Sequence, residues 1–280
     1  MTDSQVWFVT GASSGFGRAI AEAAAEAGDT VVAAVRRPDA LDDLVARFPD
    51  LVDPVALDVT DTAAGQAAVD AALDRHGRID VLVNNAGRTQ VGAVEETTEQ
   101  ELRELFDLHV FGPFALTRAV LPHMRDRGRG AVVMMSSFGG QVAPPGFGAY
   151  SATKFALEGM SEALSAEVKP LGITVLTVEP GAFRTNLFGP GAATLSEENP
   201  AYAQTAGATR QMIADGDGKQ PGDPAKAAAA IRTALAAAEP PLRLPLGGDA
   251  VDGIVGHLDQ VRAEVTTWEK VSRGTDLDTP

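Results

Sequence analysis

From Val6 to Val83, short apolar runs alternate with segments whose apolar residues recur every three or four positions. Val6-Trp7-Phe8-Val9, Thr30 to Val35, Val52 to Val59 and Ile79 to Val83 are rich in β-branched or aromatic residues and too short for helices, so each is predicted as a buried strand. Between them, Ile20, Ala23, Ala24 and Ala27 mark a helix closed by Gly28, and Leu41–Phe48 and Thr62–His76 read as two more. Helical spacing then runs over Glu99 to Arg127, through Leu102, Leu105, Phe106, Leu108, Val110 and Phe111 to Leu116, Val120, Leu121 and Met124. Ala131 to Met135 is another strand. Tyr150 onward is a helix with Phe155, Leu157, Met160, Leu164 and Val168 on one face, and Ile173 to Val178 is again a strand.

Strands alternating with helices at this spacing predict an α/β fold, a doubly wound parallel sheet of about seven strands flanked by helices, with ligands at the carboxyl ends of the strands. Residues 186–221 break the rhythm. They are rich in Gly, Pro, Ser and acidic residues and read as a substrate loop over the site. Asp223-Pro224 then caps an Ala-rich helix, Leu242 to Leu246 is a last short strand, Asp249 to Ser272 a final helix, and residues 274–280 a frayed tail. With no repeat and no linker, residues 1–280 are expected to form a single domain.

Composition narrows the function. A net charge of −15 argues against a nucleic-acid partner. The absence of cysteine excludes disulfides and thiolate metal sites, and no metal is expected. No apolar run approaches a membrane span, and Met1 to Gln5 carries no signal-like pattern, so a cytoplasmic protein with no membrane partner is expected.

The chemistry gathers at predicted strand ends. Thr10-Gly11-Ala12-Ser13-Ser14-Gly15-Phe16-Gly17 lies between the first strand and the first helix, the setting in which glycines let a backbone approach a pyrophosphate and a helix N-terminus faces it. This is a Rossmann-fold arrangement, although the spacing is G-x-x-x-G-x-G rather than G-x-G-x-x-G. Arg36-Arg37 closes the second strand, with no acid until Asp39. A carboxylate there would suit the ribose hydroxyls, whereas a cation accommodates a 2′-phosphate, so NADP(H) is favoured over NAD(H). Asp58, Asn84 to Gly87 and Ser137 fall at further strand ends. Tyr150 and Lys154 stand four apart near a helix start and project from the same side, where an ammonium eases ionisation of a phenol. That is acid/base chemistry for a carbonyl or an alcohol.

Taken together, Thr10-Gly11-x-x-x-Gly15-x-Gly17, Asp58-Val59, Asn84-Asn85-Ala86-Gly87, Ser137, Tyr150-x-x-x-Lys154 and Pro180-Gly181 resemble the motifs of the short-chain dehydrogenase/reductase family over nearly the whole chain. The resemblance implies that Tyr150 is the catalytic acid/base and that Lys154 lowers its pKa and holds the nicotinamide ribose. Ser137, thirteen residues before the tyrosine, would hydrogen-bond the substrate oxygen. It also implies that Gly11, Ser13, Ser14 and Phe16 line the diphosphate, Asp58 and Val59 the adenine, Asn85 and Ala86 the ribose side, and Thr185 the carboxamide. Gly15, Gly17, Gly87, Pro180 and Gly181 complete the expected cofactor-binding set.

One position departs from the family's pattern: His109-Val110-Phe111-Gly112 stands where an N-x-x-G is usual. The relay of that Asn would pass through the carbonyl of residue 109 or through the imidazole, so His109 joins the candidates.

The implied reaction is hydride transfer between nicotinamide and a ketone or secondary alcohol. Phe138, Val142, Pro144, Phe147, Phe183, Leu187 and Phe188 around the expected pocket favour a hydrophobic one. The resemblance further implies a homodimer or homotetramer through the helices at 99–127 and 150–168. A non-catalytic nucleotide-sensing regulatory protein of the same fold is the alternative. Intact Ser137, Tyr150 and Lys154 weigh against it, while His109 leaves it some room. A nucleotide-sugar dehydratase or epimerase fits less well, because that branch more often carries T-G-x-x-G-x-x-G.

Overall fold

The computed structural model describes residues 4–189, 193–216 and 218–277. The first half of the sheet is built from β1 (Val6–Thr10), α1 (Gly15–Glu26), β2 (Thr30–Val35), α2 (Asp42–Arg47), β3 (Val52–Ala56), α3 (Thr62–His76) and β4 (Val81–Asn84). A short β5 (Thr89–Val91) precedes α4 (Glu99–Phe106) and α5 (Gly112–Arg127). Then follow β6 (Gly130–Met135), α6 (Gly148–Val168), β7 (Ile173–Pro180), β8 (Ala193–Leu195), α7 (Ala206–Gly216), α8 (Pro224–Leu235), β9 (Arg243–Leu246) and α9 (Gly248–Arg273).

Seven strands form one sheet in the order β3-β2-β1-β4-β6-β7-β9, every pair parallel. Such a sheet is covered on both faces, and its strands are accordingly apolar at successive positions. Trp7 and Val9 of β1, Val31, Ala33 and Val35 of β2, and Val133 and Met135 of β6 face a layer containing α1, α2 and α8. The intervening Phe8, Val32, Ala34, Val132 and Met134 face α3, α5 and α6. The period of two thus feeds two cores from one strand. After β3 the chain returns to the other side of β1 to lay down β4, so a crevice opens at the carboxyl ends of β1 and β4.

Several boundaries differ from the sequence pattern. β3 stops at Ala56, short of the expected Val59, because its partner β2 ends at Val35; Leu57 N makes a last bond to Val35 O, and Asp58 to Thr60 turn away. The helix expected from Leu41 begins as a 3₁₀ turn over Pro38–Leu41. The long helix over 99–127 is continuous but passes through a π-helical turn, Asp107–Phe111, between α4 and α5.

The expected loop 186–221 is more ordered than its composition suggests. It contains α7 and β8, and β8 pairs in parallel with β5 in a separate two-stranded sheet. Residues 190–192 and 217 of that loop, and 278–280 of the expected tail, lie outside the described residues. Glu96 pins the segment. Its carboxylate meets Arg210 Nη2 at 2.9 Å and accepts from Asn199 N at 2.8 Å and Ala93 N at 2.7 Å, which holds its pKa near 2, the arginine bond contributing most. Among the described residues no helix is long and apolar enough to cross a membrane, and no cluster of three or more His, Asp or Glu could hold a metal.

Candidate active site

The turn between β1 and α1 depends on its glycines. Gly11 and Gly15 have φ of 65° and 55°, where a Cβ is costly. Gly17 is required by contact instead: a Cβ there would lie 2.3 Å from Gly11 O and 2.4 Å from Asn85 Nδ2. Ser14, the N-cap of α1, makes no side-chain cap bond, so the first amides of the helix face the crevice with the helix dipole behind them. This open, glycine-walled cradle at a helix N-terminus fits a pyrophosphate. Ser13 and Ser14 are exposed beside it.

Thr10 joins the turn to β4. Its hydroxyl donates to Val83 O (3.1 Å) and accepts from the amides of Asn85 (2.9 Å) and Ala86 (3.0 Å). Asn85 Nδ2 in turn donates to Thr10 O at 2.9 Å. The Asn85 side chain, expected beside the cofactor ribose, is therefore engaged in bracing the glycine turn. Arg36 and Arg37 are exposed at the end of β2. Asp58, beyond β3, is held below the usual carboxylate range first by the Thr60 amide and then by the Thr60 hydroxyl, with the Arg36 charge adding to it.

Two further expected residues close the crevice. Thr185 stands over Gly15, whose Cβ would come within 3.3 Å of the threonine. Gly181, past the end of β7, leaves room for Asp249 Oδ2, which accepts from Ala182 N at 2.7 Å. Phe183, expected along the pocket, is instead buried in the core with its ring 5.1 Å from that of Phe16.

Ser137, Tyr150 and Lys154 converge at the carboxyl end of β6. The Ser137 hydroxyl accepts from Gly139 N at 3.0 Å and lies close enough to the Tyr150 phenol to favour its ionised form. Gly139 allows this approach, since a Cβ on it would sit 3.1 Å from the tyrosine ring. Lys154 is buried and donates to Met135 O at 2.8 Å, with its Nζ 5.7 Å from the Tyr150 ring centre. Burial pulls its pKa down to about 8, opposed by the negative charge of Glu158. The lysine directs its hydrogen bond to Met135 O rather than to the phenol. Burial pushes Tyr150 above the usual tyrosine range, and Ser137 offsets only part of that.

His109 lies inside the π-helical turn, wholly buried, with its ring edge-on to Tyr150 at 5.7 Å. Nε2 accepts from Arg88 N at 3.2 Å, and Nδ1 meets Thr153 Oγ1 at 2.9 Å. Because Thr153 Oγ1 donates to Tyr150 O at 2.7 Å, its remaining role is to accept, which assigns the imidazole hydrogen to Nδ1. Burial, reinforced by the charges of Lys154 and Arg88, drives the pKa well down, so the ring is neutral. Gly112 completes the pattern: a Cβ there would strike Val59 O at 2.7 Å, so the glycine lets the helix press against the turn that follows β3.

Sequence reasoning missed a buried acid pair beside the lysine. Glu158, one helical turn beyond Lys154, and Glu179, near the end of β7, share Arg243, at 3.2 Å and 3.6 Å. Gln141 Nε2 donates to Glu179 at 2.9 Å. Burial, then the neighbouring Glu158 charge, raises Glu179 to about 7, and burial raises Glu158 as well. Glu179 holds the proton and shares it with Glu158, whose charge the Ser136 hydroxyl and Arg243 favour.

The folded protein thus keeps a proton that the unfolded chain releases near pH 4.5. Stability from this group is present below that pH and is lost as pH rises toward about 7. Glu179→Gln is expected to remove this fall; thermal melts at pH 5 and pH 8 should draw together in the variant, and an unchanged gap would show that the pair carries no shared proton.

A separate cleft of about 1040 Å³ opens at the opposite, amino-terminal end of the sheet, but its carboxylates Asp29 and Asp80 are already paired with Arg232, Arg78 and Arg127.

Residues 5–195 match the family model described as short chain dehydrogenase. An oxidoreductase, BOA17, of Botryotinia fuckeliana is 37% identical over 96% of this chain and 98% of its own. A 3-ketodihydrosphingosine reductase of Bacteroides thetaiotaomicron is also 37% identical, over 87% of this chain and 88% of its own. Among solved structures, a short-chain dehydrogenase from Streptomyces avermitilis superposes with a TM-score of 0.94 at 67% identity, covering 99% of this chain and 100% of that one. A metagenomic short-chain oxidoreductase in complex with NADP matches at 32% identity with a TM-score of 0.61, over 64% of this chain and 83% of that one. A family member from Burkholderia phymatum in complex with NAD matches at 26% identity with a TM-score of 0.79, over 99% of this chain and 98% of that one.

Proposed function

This chain belongs to the short-chain dehydrogenase/reductase family and is an oxidoreductase, and on that premise we propose that it interconverts a hydrophobic ketone and its secondary alcohol with NADP(H). The observation that carries the reading is the convergence of Ser137, Tyr150 and Lys154 at the carboxyl edge of the sheet, beside a glycine turn open to a dinucleotide.

Solved relatives hold NADP or NAD, which supports a nicotinamide cofactor for this chain. When bound, the nicotinamide supplies or accepts the hydride. Gly11, Gly15, Gly17, Ser13, Ser14 and Phe16 would cradle its diphosphate, and exposed Arg36 and Arg37 would meet a 2′-phosphate, favouring NADP(H).

Tyr150 gives its proton to the carbonyl oxygen as negative charge grows there, and Ser137 donates a hydrogen bond to the same oxygen. A phenol kept protonated by burial is well disposed as the acid of the reduction. Lys154 sets the local field and offers its ammonium to the cofactor ribose. His109, neutral and bonded at both nitrogens, acts by holding Arg88 N and Thr153, and its imidazole moves no proton. Half-buried Val142, Phe147, Leu187 and Phe188 support an apolar substrate, as does the reductase activity named for the Bacteroides relative.

The chain is read as one catalytic domain. Phe111, Phe114 and Phe155, all exposed, support homo-oligomerisation through α4, α5 and α6.

The test is a panel of hydrophobic ketones and alcohols assayed with NADPH and NADH. Turnover of an apolar ketone with NADPH is expected; nucleotide binding without turnover of any member would instead favour a regulatory protein. In the same assay His109→Asn, which can still accept from Arg88 N, is expected to keep most activity and an unchanged pH profile. Complete loss would give the imidazole a proton-transfer role.

A further inference from the structure

Lys154 stands in the site with little around it to hold its charge. It is buried, and among the described residues the hydrogen bond of its ammonium goes to a neutral carbonyl, Met135 O, at 2.8 Å. A buried ammonium is costly unless an opposite charge lies close. The groups nearest the site supply none. Tyr150 on the same helix is a neutral phenol, and Ser137 and Met135 O on the β6 side are uncharged. His109 in the π-helical turn is neutral, with both ring nitrogens bonded. The opposite charge comes from further along α6.

Glu158 lies one turn beyond Lys154, four residues on, where side chains of a helix are neighbours, and it too is buried. Gly140 makes room for its carboxylate: a Cβ there would lie 2.5 Å from Ser136 Oγ and 3.2 Å from Glu158 Oε1. Ser136 adjoins Met135, the residue that accepts from Lys154, so ammonium and carboxylate rest on consecutive residues at the end of β6. Glu158 also takes a bond from Arg243 of β9 at 3.2 Å and another from Glu179 of β7. Gln141 donates to Glu179 at 2.9 Å, and Arg243 reaches Glu179 at 3.6 Å. Arg243 already has a partner at the surface, Glu162, at 2.5 Å. Its charge alone therefore does not account for two acids inside the fold.

We propose that Glu158 is the counter-ion of Lys154, a positioning residue that keeps a negative charge one helical turn from the ammonium, with Glu179 bonded to it as a neutral acid. The inference rests on the part given to Lys154 in the proposed reaction, and Glu158 acts through that lysine alone. Two ionised acids side by side would repel, and the proton on Glu179 removes the repulsion while Glu158 stays charged. The effect on the lysine has the matching direction: burial lowers its pKa to about 8, and the Glu158 charge opposes the fall. Glu179 serves the site in a second way. Through Gln141 it fastens the loop that carries Gly139 against the Tyr150 ring.

Titrating the lysine side chains by carbon NMR at the ε position, in the full-length protein without cofactor or substrate, tests the pairing. The Lys154 signal is told from those of Lys169, Lys219, Lys226 and Lys270 by its loss in Lys154→Arg. Glu158→Gln keeps the shape and an acceptor for Arg243 but removes the charge. The Lys154 midpoint, about 8 in the native protein, is expected to fall by about one pH unit in that variant. Glu179→Gln, whose amide stands in for the neutral acid, should move it less. Should Glu158→Gln not fold, Glu158→Asp draws the charge back by one methylene and should lower the midpoint by a smaller step. A midpoint unmoved by substitution of Glu158, or moved as far by Glu179→Gln, overturns the proposal. With an apolar ketone and NADPH, the alkaline limb of kcat should move down together with the midpoint. A midpoint that falls while the limb stays in place would uphold the counter-ion and contradict the part of Lys154 in the reaction.

Discussion

Tyr150→Phe is expected to lower turnover of the ketone by about a thousandfold, within the roughly 10²–10⁴ range of a general acid, while leaving NADPH affinity within about twofold. The ring packs edge-on to His109 at 5.7 Å and against Phe147 at 6.0 Å, and Gly139 lies along its side. Phe preserves all of these contacts. What it removes is the hydroxyl facing Ser137, the one atom through which the residue can deliver a proton. Because the packing survives, a loss of activity would report chemistry rather than a disturbed fold. Fluorescence titration with NADPH provides the control, and a variant that retained substantial turnover would move the acid role elsewhere.

The second large effect is on cofactor choice. Replacing Arg36 and Arg37 together with Ala is expected to weaken NADPH by about 10- to 100-fold, since a hydrogen bond to a charged group contributes ~1.5–3 kcal/mol. NADH, lacking the 2′-phosphate, should bind about as well as before. Both arginines are exposed at the end of β2, so their loss should not disturb the core. Equal weakening of both cofactors would mean that the arginines serve the loop rather than the phosphate. Tighter binding of NADH than NADPH by the unaltered protein would remove the NADP(H) argument altogether.

Much of the fold was legible because the signals were local and repeated. A parallel strand covered on both faces must be apolar at nearly every position, and β1, β2, β4 and β6 announce themselves in that way. The glycine turn was legible because its spacing serves backbone conformation at Gly11 and Gly15. What escaped depends on contacts between distant residues. The π-helical turn at Asp107–Phe111 has no compositional mark; its one trace is Gly112, whose need for close approach to Val59 O appears only in three dimensions. The sheet of β5 and β8 joins segments about a hundred residues apart. It hides in a stretch whose Gly and Pro content reads as irregular. Glu158 and Glu179 look like surface acids until α6 and β7 bring them against Arg243.

The candidate site shows the same division. Spacing placed Tyr150 and Lys154 on one side of a helix, but not the direction of the lysine's hydrogen bond. That bond goes to Met135 O, and the phenol's pKa rises rather than falls. His109 was recognisable as a departure, whereas its tautomer required knowing that Thr153 donates to Tyr150 O.

Hydride transfer itself is the most direct test. The protein should be given an apolar ketone and NADPH carrying deuterium at the transferable position of nicotinamide C4, and the product examined by mass spectrometry and NMR. Deuterium on the carbinol carbon of the alcohol, absent from the product when Tyr150→Phe replaces the native protein, is the result expected. An alcohol without the label, or NADPH bound but never oxidised across the panel of ketones, would contradict the assignment of this chain as a ketone oxidoreductase.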